Sequence, residues 1–237
     1  MRMRKKKNLQ PRMELCNDYW IRDPFAMKGK WRELMPNVRE LHLELGCGKG
    51  RFTAETAKSD PSVLYIAVEK VPDAMVVAME RCRDMGLHNV WFIDGDAALL
   101  PDMFAPEEVD RIYINFCDPW PKSRDAKFRL TAPSFLRMYH DILTPDGEIH
   151  FKTDNAPLFD WSVEQLQSEG WAIRELTRDL HGEGGKNIPM TDYEVKFVES
   201  GLKINRLVAV KTEQTKGTAD GAVPRLRNSA LSDARGK

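Results

Sequence analysis

The chain has 237 residues, 42% of them hydrophobic and 30% charged, enough to bury one large core. Those proportions exclude global disorder and a fibrous repeat, and no apolar run reaches the ~20 residues that cross a bilayer. Lysine and arginine balance aspartate and glutamate at 36 each, but the signs are segregated: residues 1–32 hold ten basic and three acidic side chains, and residues 121–130 hold four and one. The remainder carries 22 basic against 32 acidic residues. A basic arm and a basic loop on an acidic body suit a polyanion bound locally.

The first residues, Met1 to Lys7, are basic without an apolar segment behind them, so a cytoplasmic location is expected. Residues 1–36 read as a basic N-terminal arm, broken by Pro11, Pro24, Gly29 and Pro36. The arm carries Tyr19, Trp20, Phe25 and Trp31, which argue that part of it docks. Leu41–Leu45 reads as a strand ending in Gly46, and residues 51–58 as a helix. Val63–Val68 is a second strand. Residues 72–85 form a helix with Pro72 in its first turn and Gly86 as its stop. Val90–Ile93, a short helix near 97–103, and Arg111–Phe116 follow. A helix over 131–142 then closes on the turn signal Pro145-Asp146-Gly147. Glu148–Lys152, a helix over 156–169 and Trp171–Leu176 come next. No helical pattern separates Trp171–Leu176 from the late strand Ile204–Val210, which is therefore expected to enter antiparallel. Strands alternating with helices predict an α/β domain over 37–211, with a mostly parallel seven-stranded sheet and helices on both faces. Residues 212–237 are small, polar and aperiodic, and read as a disordered tail.

Open parallel sheets bind ligands at the carboxyl ends of their strands, where the strand order reverses. Five successive strands end there in acids: Glu44, Glu69, Asp94 with Asp96, Asp118 and Asp154. Like charges gathered in one crevice repel, so the ligand should be cationic or rich in hydroxyls. The loop Glu44–Gly50 reads E-x-G-x-G-x-G, with Gly46, Gly48 and Gly50. Arg51 stands where a dinucleotide fingerprint needs glycine. An acid about twenty residues on, Glu69, suits the two hydroxyls of a ribose, and Asp96 suits an adenine amino group. Glu44 suits an ammonium. S-adenosylmethionine, with two positive centres and no phosphate, fits this set better than NAD. After the fourth strand, Asn115-Phe116-Cys117-Asp118-Pro119-Trp120-Pro121-Lys122 places an acid and an aromatic face on a proline-stiffened turn. No CxxC or HExxH pattern occurs, so no metal site is expected. Thr191-Asp192-Tyr193-Glu194 reads both as a helix capping box and as a group able to face the Watson–Crick edge of guanine.

Together with Lys28–Trp31, Asp94-Gly95-Asp96 and Phe151–Asn155, these motifs resemble the bacterial tRNA (guanine-N7-)-methyltransferases over residues 28–211. The resemblance implies a Rossmann-like class I methyltransferase fold, S-adenosylmethionine as methyl donor, and N7 of guanine 46 in the tRNA variable loop as acceptor. It implies that Glu44, Gly46, Gly48, Gly50, Glu69 and Asp96 bind cofactor, and that Asp118 is catalytic while also bordering the cofactor. Lys122, Arg124, Lys127, Arg129, Asp154 and Thr191, Asp192, Tyr193 and Glu194 would contact substrate. Asp125 and Phe128 replace the histidine and arginine common in that family, and Cys47 a small hydroxyl residue. Two other classes are compatible with parts of the pattern: a methyltransferase acting on a small amine or a protein, and a non-catalytic RNA-binding module. Monomer and homodimer both remain open.

Overall fold

The computed structural model describes residues 5–185 and 188–212. Its most buried element is β3 (Val63–Glu69), all seven residues of which are shielded from solvent, as an interior parallel strand requires. Around it lie β2 (Glu40–Leu45), β4 (Val90–Asp94) and β5 (Val109–Asn115), all parallel. The sheet is completed by β6 (Leu143–Thr153), β7 (Trp171–Thr177), β8 (Asn205–Lys211) and a two-residue edge strand, β1 (Trp20–Ile21). The order is β1-β4-β3-β2-β5-β6-β8-β7. The chain runs outward from β2 through β3 to β4, then crosses to the other side of β2 with β5. The order therefore reverses between β2 and β5.

β8 slots between β6 and β7 and is antiparallel to both. The expected antiparallel last strand is thus present, but inside the sheet. Three details differ from the sequence reading. A helix, Asp192–Glu199, does lie between β7 and β8, where no helical pattern was expected. The edge strand β1 adds an eighth strand, too short to carry a periodic signal. Pro145-Asp146-Gly147 does not separate helix from strand; it bulges within β6, where Val109 pairs with Leu143 but Arg111 pairs with Glu148.

One face is covered by α4 (Leu100–Met103), α5 (Pro133–Ile142) and α6 (Ala156–Ser168), which pack Leu100, Phe135, Tyr139, Leu158 and Phe159 against Leu41, Leu43, Ile112 and Phe151. The other is covered by α1 (Leu9–Glu14), α2 (Arg51–Ser59) and α3 (Pro72–Asp84), with Met13, Phe52, Met75 and Met79 over Tyr65, Ala67 and Tyr113. The N-terminal segment contributes to both faces. Met13 enters the α2/α3 face, while Arg12 pairs with Glu80. Trp31 is fully buried in the opposite face, stacked on Phe104 at 5.1 Å, with its indole N–H donating to Met103 O at 2.9 Å. α7 (Asp192–Glu199) stands over the carboxyl end of β6. No helix among the described residues is long and apolar enough to cross a membrane. The disordered tail expected over 212–237 lies, from residue 213 on, outside the described residues.

Candidate active site

At the reversal point a cavity of about 290 Å³ opens beyond the carboxyl ends of β2, β3, β4 and β5. Its wall includes Gly46, Glu69, Asp96, Asp118 and Trp120, closed on the apolar side by Phe116, Phe128, Leu130 and Phe135. Three acids and one basic residue, Lys70, line it. The sequence therefore placed Gly46, Glu69, Asp96 and Asp118 around one space, and the fold brings those four together.

The loop after β2 is shaped by glycines in the left-handed region: Gly46, Gly48 and Gly50 have φ of 79°, 57° and 70°. Gly50 has a second reason to lack a side chain. It begins α2 against α3, and a Cβ there would lie 2.4 Å from Ala78 Cβ and 2.8 Å from Ala78 Cα. Glu69, at the end of β3, secures the loop from the opposite side. One carboxylate oxygen accepts from Gly48 N–H at 2.8 Å and the other from Val71 N–H at 2.9 Å. A carboxylate has about four acceptor directions, so these bonds leave it able to accept from a ligand. Burial raises the pKa of Glu69, against the pull of those two amides. Asp96 caps the turn Ala97–Leu99, accepting from Ala98 N–H at 2.9 Å through Oδ1 and leaving Oδ2 outside that bond.

Glu44 is not part of the cavity wall. It lies beneath the loop, 2% exposed, accepting from Thr53 Oγ1 at 2.5 Å and Asn115 Nδ2 at 3.3 Å. Its burial outweighs those bonds and pushes its pKa up to about 7. Thr53 was not singled out from sequence, because a threonine in a helix carries no pattern of its own, and Asn115 was read only as the first residue of the Asn115–Lys122 segment.

The turn after β5 is strained at both ends. Phe116 and Trp120 have φ of 52° and 42°, a region that non-glycine residues rarely occupy. Between them stands Asp118, exposed at the cavity mouth. Such strain persists only where the surroundings enforce it, and it clusters at functional sites. Lys122, Arg124 and Lys127 are exposed on and beside the turn Ser123–Phe128. Arg129 points the other way: its Nε donates to Pro119 O at 2.9 Å and its Nη2 to Trp120 O at 3.0 Å.

The remaining predicted residues stand outside the cavity wall. Asp154 is exposed after β6. Thr191 and Glu194 form a reciprocal capping box at the start of α7. Asp192 pairs with Arg81 at 3.3 Å. Tyr193 is half exposed and packs on Phe197 at 5.7 Å, which in turn stacks on Phe116 at 6.3 Å, so an aromatic ladder joins the cavity edge to the surface. Glu194 is fully buried. It accepts from Lys152 Nζ at 2.7 Å and from Thr191 N–H at 3.3 Å, and meets His181 Nε2 at 2.9 Å. Both its oxygens are engaged within the fold, so of the two readings of this motif the structure favours the cap. Lys152, its partner, is 3% exposed at the carboxyl end of β6 and was not singled out from sequence.

Comparison with known proteins identifies the family. A family model described as "Putative methyltransferase" matches residues 38–207. The tRNA (guanine-N(7)-)-methyltransferase of Lachnoclostridium phytofermentans is 44% identical over 199 residues, covering 84% of this chain and 93% of that protein. The protein of the same name from Clostridioides difficile is 41% identical and covers 89% and 99%. Among solved structures, the 16S rRNA methyltransferase KamB superposes with a TM-score of 0.59 at 15% identity, covering 78% of this chain and 94% of that one, a likeness of fold. The glycine loop, the acids after β3, β4 and β5, and these relatives lead to one conclusion: the chain belongs to the tRNA (guanine-N7-)-methyltransferase family, enzymes of the class I methyltransferase fold.

Proposed function

We propose that this enzyme transfers a methyl group from S-adenosylmethionine to N7 of a guanine in tRNA, at nucleotide 46 of the variable loop, in the cytoplasm. The observation that carries the reading is the cavity at the β2/β5 reversal, walled by Glu69, Asp96 and Asp118 and reached by Gly46, the first glycine of the loop. A phosphate there would face three carboxylates, whereas a sulfonium, an ammonium and ribose hydroxyls would be favoured by them. The residues thus fit S-adenosylmethionine, which when bound supplies an electrophilic methyl group on a cationic sulfur.

Each residue has a defined task in this reading. Glu69 offers its remaining acceptor capacity to the ribose hydroxyls, and the Gly46–Gly48 backbone allows close approach. Asp96 offers Oδ2 to the adenine amino group. Glu44, beneath the loop, turns its charge toward the ammonium from below, its buried carboxyl ionising more readily once a cation is near. Guanine N7 has a free lone pair and no proton, so its attack needs no general base. Acceleration then comes from alignment at ~3 Å and from fixed charge. Asp118 orients the guanine and balances the positive charge that develops on it, and Trp120 gives the flat base a face to stack on. Lys122, Arg124 and Lys127, exposed beside the mouth, meet tRNA phosphates. Tyr193 and Asp154 stand on the substrate side. The choice of nucleotide 46 rests on the family resemblance of the Asp118–Lys122 and Thr191–Glu194 motifs.

The test is to incubate the purified protein with isotopically labelled S-adenosylmethionine and unmodified tRNA, then digest and identify the nucleoside by mass spectrometry. Labelled 7-methylguanosine is expected, and it should vanish with tRNA carrying adenine at position 46. Label in any other nucleoside, or none, would overturn the reading.

A further inference from the structure

Arg129 belongs to a basic stretch that the sequence assigned to phosphate contact, yet its side chain is turned into the protein. Two of its three guanidinium nitrogens are spent on the carbonyls of consecutive residues, Pro119 and Trp120, at 2.9 and 3.0 Å. The guanidinium carbon lies over the Trp161 ring of α6, 4.3 Å from the centroid. Trp161 packs in turn against the core. Phe128, the preceding residue, rests on the Trp120 ring at 5.3 Å. The carbonyls that Arg129 grips bracket the strained backbone at Trp120, and Asp118 is one residue from the first of them. Nothing else among the described hydrogen bonds holds the Pro119 or Trp120 carbonyl.

We infer that Arg129 is a positioning residue for methyl transfer: seated on Trp161, it holds the Pro119–Trp120 peptide in its left-handed conformation and so fixes Asp118 and Trp120 at the cavity mouth. The role uses the planar fork and the stacking face of arginine, which a lysine ammonium lacks. Phosphate contact would need only the positive charge. This inference rests on the reading that the cavity receives the methyl donor and the target base.

The experiment compares Arg129→Lys and Arg129→Gln with Arg124→Gln, whose side chain is exposed beside the same loop. Four quantities are read: kcat at saturating tRNA, the slope of log tRNA affinity against log salt, the affinity for S-adenosylhomocysteine by calorimetry, and the melting midpoint. Misplacing a reacting group by an ångström costs on the order of a hundredfold, so both Arg129 variants should lose at least about tenfold in kcat, with lysine giving no rescue. Their S-adenosylhomocysteine affinity should fall, because Asp118 and Trp120 line its cavity. Their salt slope should match wild type, whereas Arg124→Gln should flatten it by roughly 0.7–0.9 for the one phosphate released. Wild-type kcat in Arg129→Lys, or a flattened slope in Arg129→Gln, would overturn the proposal. Should the Arg129 variants fail to fold, Trp161→Leu decides: it removes the stacking face and no cation, and a wild-type kcat in it would equally overturn the proposal. Wild-type protein inactive on tRNA would refute the methyltransferase reading instead, while the S-adenosylhomocysteine affinities would still report on Arg129.

Discussion

The buried pair Lys152–Glu194 offers the sharpest test of how the carboxyl end of β6 is held. The ammonium, 3% exposed, meets a carboxylate with no exposure at 2.7 Å, and also donates to Pro189 O at 2.9 Å. It lies 4.9 Å from the centroid of Phe52, and Glu44 and Arg206 are the next charges that act on it. Burial lowers the Lys152 pKa, opposed by Glu194. Removing one member of such a pair strands the other in a dry site, at a cost of about 3–5 kcal/mol. Lys152→Met keeps the stem and removes the charge, and should lower stability by that amount. For a chain of this size the melting midpoint should drop by roughly 6–20 °C. Glu194→Gln keeps the shape of the cap but weakens its bonds to Lys152, and should cost about 3 kcal/mol. The double variant should be less damaged than the two losses added, because each single change already breaks the same contact. Urea unfolding followed by tryptophan fluorescence measures all three. Either single variant within about 1 kcal/mol of wild type, or an additive double, would refute the anchoring role. Loss of activity in Glu194→Gln with unchanged stability would instead return Glu194 to the guanine edge.

Three further outcomes follow from the site. Glu44 keeps its proton in the folded protein up to about pH 7, while the unfolded chain loses it near 4.5. Its contribution to stability therefore falls as pH rises through that window, by roughly 3 kcal/mol in all, and Glu44→Gln should abolish that slope in urea titrations from pH 5 to 8. His42 gives an opposite slope, its pKa lowered by burial to about 4, but that slope is common to both proteins and cancels in the difference. Gly50→Ala should cost about 2–4 kcal/mol, from the left-handed backbone and the collision with Ala78, and should weaken S-adenosylhomocysteine binding; a calorimetric profile matching wild type would contradict the packing argument. Asp118→Asn should retain more methylation activity than Asp118→Ala from pH 6 to 9, since an amide still orients a base. Equal loss in both would refute the orienting role and make the carboxylate's negative charge the requirement.

The parallel order of strands and helices was legible because each signal is local. Val63–Val68 is a continuous apolar run, Pro72 and Gly86 mark the ends of α3, and each strand that feeds the site ends in, or is soon followed by, an acid or a glycine turn. Gly46, Glu69, Asp96 and Asp118 could be gathered from sequence alone, since a parallel sheet places all its carboxyl ends on one edge. Orientation was not legible. Arg129 and Arg124 are alike in a basic stretch, and it is the Pro119 and Trp120 carbonyls and Trp161, 32 positions away in the chain, that distinguish the one turned inward. Thr191–Glu194 spells a cap and a binding motif with the same letters; Lys152, from a distant strand, takes up the carboxylate. Lys152 itself reads as an ordinary polar position in an alternating strand until α7 closes over it.

What residue order determined by itself was periodicity, turn chemistry and which groups arrive at the sheet's ligand-binding edge, all set by near neighbours along the chain. What the tertiary structure alone decided was where each charge is spent. Burial and hydrogen-bond partners come from segments far apart in sequence, and they separate Glu69, which keeps acceptor directions free toward the cavity, from Glu44 and Glu194, whose oxygens are used within the protein.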